Sequence, residues 1–111
     1  KMNRGFKKIY KDNPWENESN VNLHAYRQVL LTICQLNKTG VLTLEHLVKN
    51  GYVYKNKFLL TSKDFLESTN LKSKKSFYNG VEDLLKWDII AKSEDVGFFY
   101  FNPKYFPWYD E

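Results

Sequence analysis

Between residues 61 and 105 the order of apolar and polar positions is most regular. In the stretch SKKSFYNGVEDLLKW, Phe77, Val81, Leu84 and Leu85 recur at i, i+4, i+7 and i+8, which is one buried stripe at the α-helical period. Ser73 stands where an N-cap belongs. Upstream, TSKDFLEST predicts a shorter helix: Thr61 or Ser62 caps it, Asp64 sits at the positive end of its macrodipole, and Phe65 and Leu66 face inward. Asn70 and Leu71 make the connection between the two helices tight. After Trp87 and Asp88 come IIAKS and FFYFN, β-branched and aromatic runs separated by Glu94, Asp95, Val96 and Gly97, which is a hairpin signal.

The earlier part of the chain reads as scaffold. Residues 22–36 carry an amphipathic pattern in which Leu23, Tyr26, Leu30, Ile33 and Cys34, and to a lesser degree Val29 and Leu36, line one side of a helix. Lys38, Thr39 and Gly40 are expected to end it, with Thr43 capping a short helix through Val48 that stops at Asn50 and Gly51. YVY and FLL then flank Lys55, Asn56 and Lys57, either as a small hairpin or as one strand of a sheet. Residues 5–10 alternate weakly, as a strand or an arm, and residues 12–20, with Pro14, form a polar loop. There is no internal repeat and no low-complexity linker.

The pattern amounts to an α+β fold, a helix-turn-helix over residues 61–87 followed by a short antiparallel β-hairpin wing over 88–103. An arm over 1–20 precedes it and an aromatic tail over 104–111 follows. A chain of 111 residues, 42% of them hydrophobic, suffices for one domain with a core.

At these residues the chain resembles a known family. SKKSFYNGVEDLLKWDIIAKS followed by GFFYFNPKYF looks like the winged-helix domain of plasmid replication initiators of the RepL type, with Ser73, Ser76, Tyr78, Leu84, Ile89, Ile90, Asn102 and Pro103 filling the pattern. Asp88 stands where the family usually has glycine, a departure that the left-handed tolerance of aspartate accommodates. FKKIYKDNPW (6–15) and GYVYKNKFLLTS (51–62) more loosely resemble phage replisome-organiser N-terminal domains, which are also winged helices. These resemblances imply a sequence-specific, double-stranded DNA-binding module of a replication initiator or organiser. A transcriptional repressor using the same surface is the nearest alternative, and a winged helix that docks a replication protein is another.

Charge sharpens the expectation by its placement. Lys and Arg exceed Asp and Glu by 17 to 13, and the cations gather as Lys1, Arg4, Lys7, Lys8 and Lys11 at the N-terminus and Lys72, Lys74 and Lys75 at the head of the second helix. Glu16, Glu18, Asp110 and Glu111 mark acidic ends. Lysines at a helix N-terminus oppose the macrodipole at a few tenths of a kcal/mol each, so an anionic ligand such as DNA phosphate accounts for them better than solubility does. Ser73, Lys74, Ser76 and Asn79 are expected on the major-groove side, Lys72 and Lys75 on phosphates, and Lys92 on the wing. Tyr78 either reaches a phosphate or packs locally.

Other chemistry finds little support. His24 and His46 lie in different elements, and Cys34 has no zinc spacing with either, so neither a metal nor a cofactor is expected. Cys34 is expected on the apolar face as an inert thiol. Glu82 and Asp83 point about 100° apart on a helix and are expected to be solvated or paired with Lys86. No nucleotide-binding or nucleophile motif occurs, so no enzyme is expected. No run reaches the ~18 apolar residues of a membrane span and no secretory signal opens the chain, which leads to the expectation of a cytoplasmic protein. The single cysteine fits a reducing compartment. Abundant Lys, Asn, Tyr and Phe suggest an A·T-rich genome. Trp87, Phe98 and Tyr100 are expected in the core. Trp15, Tyr105, Phe106, Trp108 and Tyr109 either bind a partner, with a homodimer the simplest case, or fold back over the first helix.

Overall fold

The computed structural model describes residues 8–15, 23–69 and 73–105, and the protein is α+β, with four helices and one four-stranded mixed sheet among the described residues. In chain order these are β1 (Ile9–Tyr10), α1 (Leu23–Ile33), α2 (Lys38–Lys49), β2 (Phe58–Leu59), α3 (Ser62–Ser68), α4 (Lys74–Lys86), β3 (Ile90–Ser93) and β4 (Phe98–Phe101). Short 3₁₀ turns lie at Tyr52–Tyr54 and Pro103–Tyr105.

The helix α4 is built as its stripe requires. The Ser73 hydroxyl accepts from the Lys75 amide at 3.0 Å, and Phe77, Val81, Leu84 and Leu85 are all buried. At the other end the Ile89 amide donates to the Leu84 carbonyl and the Asp88 amide to that of Leu85. This is a Schellman closure with Asp88 in the left-handed position at φ 60°. Asn102 locks the closure by donating from Nδ2 to the Asp88 carbonyl at 2.8 Å. The helix α3 is capped by Thr61, whose Oγ1 accepts from Asp64 N at 3.2 Å, and its Phe65 is fully buried with its ring 5.4 Å from that of Phe77. Helices α3 and α4 thus appear where the caps predict them, while Asn70, Leu71 and Lys72 lie outside the described residues.

The helix α2 begins earlier than its sequence suggested. Asn37, not Thr43, is the N-cap, with Oδ1 accepting from Gly40 N at 2.7 Å, and Lys38, Thr39 and Gly40 form the first turn instead of ending α1. The cause is tertiary. Helices α2 and α4 pack more extensively than any other pair, and they meet through small residues: a Cβ on Gly40 would lie 2.2 Å from Asp83 Oδ2, and one on Gly80 would lie 2.0 Å from Thr43 Oγ1. Thr43 is wholly buried, its hydroxyl donating to the Thr39 carbonyl at 2.7 Å. Asp83, expected in solvent or paired with Lys86, is buried instead and accepts from the Asn37 amide at 2.8 Å. One carboxylate therefore ties the head of α2 to the last turn of α4.

Helix α1 also shows a different face. Val29 and Leu36 are buried, whereas Leu30 is 53% exposed and Cys34 is exposed. Ile33 is partly buried against the core; the side chains of Leu23, His24 and Tyr26 lie outside the described residues. What α1 packs on is the 3₁₀ turn at Pro103–Tyr105. Tyr105 is buried there, and burial raises its hydroxyl pKa. This part of the tail does fold back over the first helix, while Phe106, Trp108 and Tyr109 lie outside the described residues.

The sheet order is β1-β3-β4-β2, with β1 parallel to β3 and the other pairs antiparallel. Of the two alternatives for residues 52–60, Phe58 and Leu59 form a sheet strand and YVY is a 3₁₀ turn. By register, Phe58, Ile90, Phe99 and Phe101 share one face and are buried with the helices. Ala91, Ser93 and Tyr100 share the opposite face and are buried too. The stretch after β1 crosses that second face: Tyr100 donates its hydroxyl to the Lys11 carbonyl at 2.8 Å, and Asn13 Nδ2 reaches Asn56 Oδ1 at 2.6 Å beside the far edge strand. Trp87 and Phe98 are half-buried at the margins.

Candidate nucleic-acid interface

The outward face of α4 follows from its buried one. With Phe77, Val81 and Leu84 inward, the residues opposite are Lys75, Asn79, Glu82 and Lys86, spaced i, i+4, i+7 and i+11, and all four are exposed. They form a ridge. On one side lies a polar cleft of about 490 Å³ between the ridge and the head of α2, where Asn37, Lys38 and Thr39 face Asn79 and Lys86. On the other lies a groove of about 690 Å³ between α4 and the hairpin, floored by Leu60, Phe77, Val81, Leu85 and Phe99. Glu82 lines both and stands at the crest.

The expected site residues fall unevenly on this surface. Lys74 and Lys75 are exposed in the first turn, Ser73 is exposed and occupied as the cap, and Ser76 is half-buried at the edge. Asn79 points outward from the ridge, and Tyr78 rims the groove with its ring edge-on to Phe77 at 5.2 Å, which favours local packing for part of its surface. Lys92 is half-buried on the helix-facing side of β3, in register with Phe99, and it lines the groove instead of projecting from the hairpin tip. Lys72 lies outside the described residues. Lys74, Lys75, Asn79 and Lys92 therefore border one surface, but Lys92 is separated from the lysines of α4 by an apolar floor.

At the hairpin tip the charge reverses. Glu94 and Asp95 are exposed there, and Val96 beside them is 96% exposed. Asp95 forms an ion pair with Lys57, and that hydrogen bond raises the lysine pKa. The tip thus offers carboxylates and an aliphatic side chain to whatever approaches it. Among the described residues, Lys74, Lys75, Lys86 and Glu82 make no ion pair with one another. The Lys86 ammonium lies over the Trp87 ring at 5.9 Å.

Three ridge-side residues were not singled out as site residues from sequence: Lys38, Glu82 and Lys86. The signal available for the latter two was the i, i+4, i+7, i+11 spacing from Lys75; for Lys38 there was none, because its approach depends on how α2 crosses α4. His46 is buried, with Nδ1 2.7 Å from Ser68 Oγ and Nε2 without a partner among the described residues. Asn50 Nδ2 lies 3.2 Å from the same Nδ1, and Ser68 Oγ also lies 3.2 Å from the Phe65 carbonyl. Burial lowers the His46 pKa, partly offset by Asp64 and reinforced by Lys49. Among the described residues no cluster of three or more His, Cys, Asp or Glu could hold a metal ion, and no helix is long and apolar enough to cross a membrane.

No protein-family model, no curated protein and no solved structure matches the chain.

Proposed function

We propose that this is a winged helix-turn-helix module that binds double-stranded DNA through the outer face of α4. The element order α2-β2-α3-α4-β3-β4, with β4 between β2 and β3, is the arrangement expected of such a module. The observation that carries the reading is the head and ridge of α4, the second helix of the pair: Lys74, Lys75 and Asn79 are exposed, and the two lysines make no ion pair with a described residue. Lys74 and Lys75 would hold phosphates, together with Lys72, and Asn79 would face a base edge. Lys38 across the polar cleft is placed to meet the flanking backbone. The RepL-like run from Ser73 to Pro103 favours a plasmid- or phage-type replication initiator or organiser, working in the cytoplasm, over a transcriptional repressor with the same surface.

A second reading has its own support. The apolar groove between α4 and the hairpin, with Glu94, Asp95 and Val96 at the tip, suits a protein partner better than phosphate, so the hairpin side fits a docking face for a replication protein. Selection of bound sequences from a random duplex library separates the two. Enrichment of a consensus supports DNA reading by α4, and a repeated half-site one helical turn apart would also indicate a dimer. Failure to retain any duplex above background would leave protein docking as the function.

A further inference from the structure

We infer that Glu82 is a specificity-determining residue that selects cytosine in the bound duplex; this rests on the DNA-binding reading above. Glu82 stands on the crest of the α4 ridge, three residues beyond Asn79 and bordering both flanking clefts. A helix laid into a major groove by this face cannot keep Glu82 out of it. The carboxylate is exposed and makes no ion pair or hydrogen bond with a described residue, although Lys86 follows at i+4, the spacing and order that favour a Glu–Lys pair. The lysine instead covers the Trp87 ring. No described residue therefore neutralises the charge of Glu82 on the surface offered to a polyanion.

Such a charge repels phosphates on every duplex alike, and it gains only where an amino group of a base faces it. The major groove presents two amino groups, cytosine N4 and adenine N6. Beside N6, adenine also presents the N7 acceptor, which repels a second carboxylate oxygen and suits an amide. Cytosine presents the N4 donor alone, so a carboxylate favours cytosine as the amide of Asn79 favours adenine. The helical rise from Asn79 to Glu82 is about 4.5 Å, against a base-pair rise of about 3.4 Å, so the cytosine lies one or two steps from that adenine. Glu82 also works by exclusion: it weakens binding to duplexes without the amino group and thereby widens the gap between right and wrong sites.

The test compares the wild-type chain with Glu82→Gln on the selected duplex and on its single-base variants. The side chain is exposed and has no partner among the described residues, so both proteins should give the same circular dichroism. For the wild type, replacing the cytosine should weaken binding roughly ten-fold or more. For Glu82→Gln that preference should move to adenine at the same position, and scrambled duplexes should bind more tightly than they do to the wild type. If Glu82→Gln binds duplexes with the base preferences of the wild type at every position, the assignment of Glu82 is wrong while DNA reading by α4 stands. If the wild type itself distinguishes no duplex from another, the DNA reading fails and this inference fails with it.

Discussion

Replacing Gly80 with alanine should destabilise the protein, although alanine is the better helix former. In an exposed helix the change would gain about 1 kcal/mol. Here the added methyl would lie 2.0 Å from Thr43 Oγ1, 2.7 Å from the Thr39 carbonyl oxygen and 3.2 Å from its carbon. The hydroxyl is fully buried and committed to that same carbonyl, so turning it away sacrifices a buried hydrogen bond at about 1 kcal/mol. The carbonyl is backbone, so relief requires α2 to withdraw from α4, and such overpacking costs about 1–3 kcal/mol or somewhat more. The net loss should be about 2 kcal/mol, a large share of the ~5–15 kcal/mol that holds a domain folded. Urea titration followed by tryptophan fluorescence measures it directly. In a Thr43→Ala background the cost should shrink by about 1 kcal/mol, because one of the two obstructions is gone, and the two changes should fail to add. A Gly80→Ala protein as stable as the wild type, or more so, would refute the close approach of α2 and α4 on which the placement of the ridge depends.

Asp83→Ala should cost about 1–3 kcal/mol by leaving the part-buried Asn37 backbone amide without its acceptor, whereas Glu82→Ala, one residue away and without a partner among the described residues, should be within experimental error of the wild type; urea midpoints for the pair check this. The His46 pKa is lowered on folding, so the unfolded chain binds the proton first, and stability present above pH ~6.5 should decline as pH falls below it. In His46→Leu that decline should be shallower, and an unchanged pH profile of the urea midpoint would count against a buried neutral imidazole. If the aromatic residues beyond Tyr105 pair two copies, removal of residues 106–111 should lower the sedimentation mass to that of a monomer at tens of micromolar; an intact chain already monomeric there would exclude this route to a dimer.

What was legible in the sequence was local. The stripe Phe77, Val81, Leu84, Leu85 is set by a period within one helix, and the Ser73 and Thr61 caps act within three residues, so both helices could be read from neighbours alone, whereas the left-handed turn at Asp88 followed from the resemblance, in which a glycine usually stands there. Where the structure departs, a distant contact decides. Gly40 reads as a stop signal, yet it is the residue that lets Asp83 approach from 43 positions further on, and Asn37 becomes the cap because that carboxylate holds its amide. In α1 the apolar residues are dense enough to define more than one stripe, and only packing against the Tyr105 turn selects Val29 over Leu30. The burial of Tyr100 depends on residues 11–13 crossing the sheet, for which polar loop residues give no periodic signal. For the site, the exposure of Lys74, Lys75 and Asn79 was legible from the same stripe. The position of Lys92 was not, because it depends on which face of β3 turns toward α4.

The central claim is that α4 reads DNA from its outer face, and equilibrium titration of Lys75→Ala and Asn79→Ala on preferred and scrambled duplexes over a range of salt tests it most directly. Lys75→Ala should weaken binding to both duplexes alike and lower the salt slope by about 0.9, the value for one counterion released from B-DNA. Asn79→Ala should leave the slope unchanged and cost roughly 1–3 kcal/mol on the preferred duplex alone, because only one base matches an amide's donor and acceptor pair. Equal affinities for wild type and both variants on both duplexes would contradict the claim and give the function to the hairpin groove.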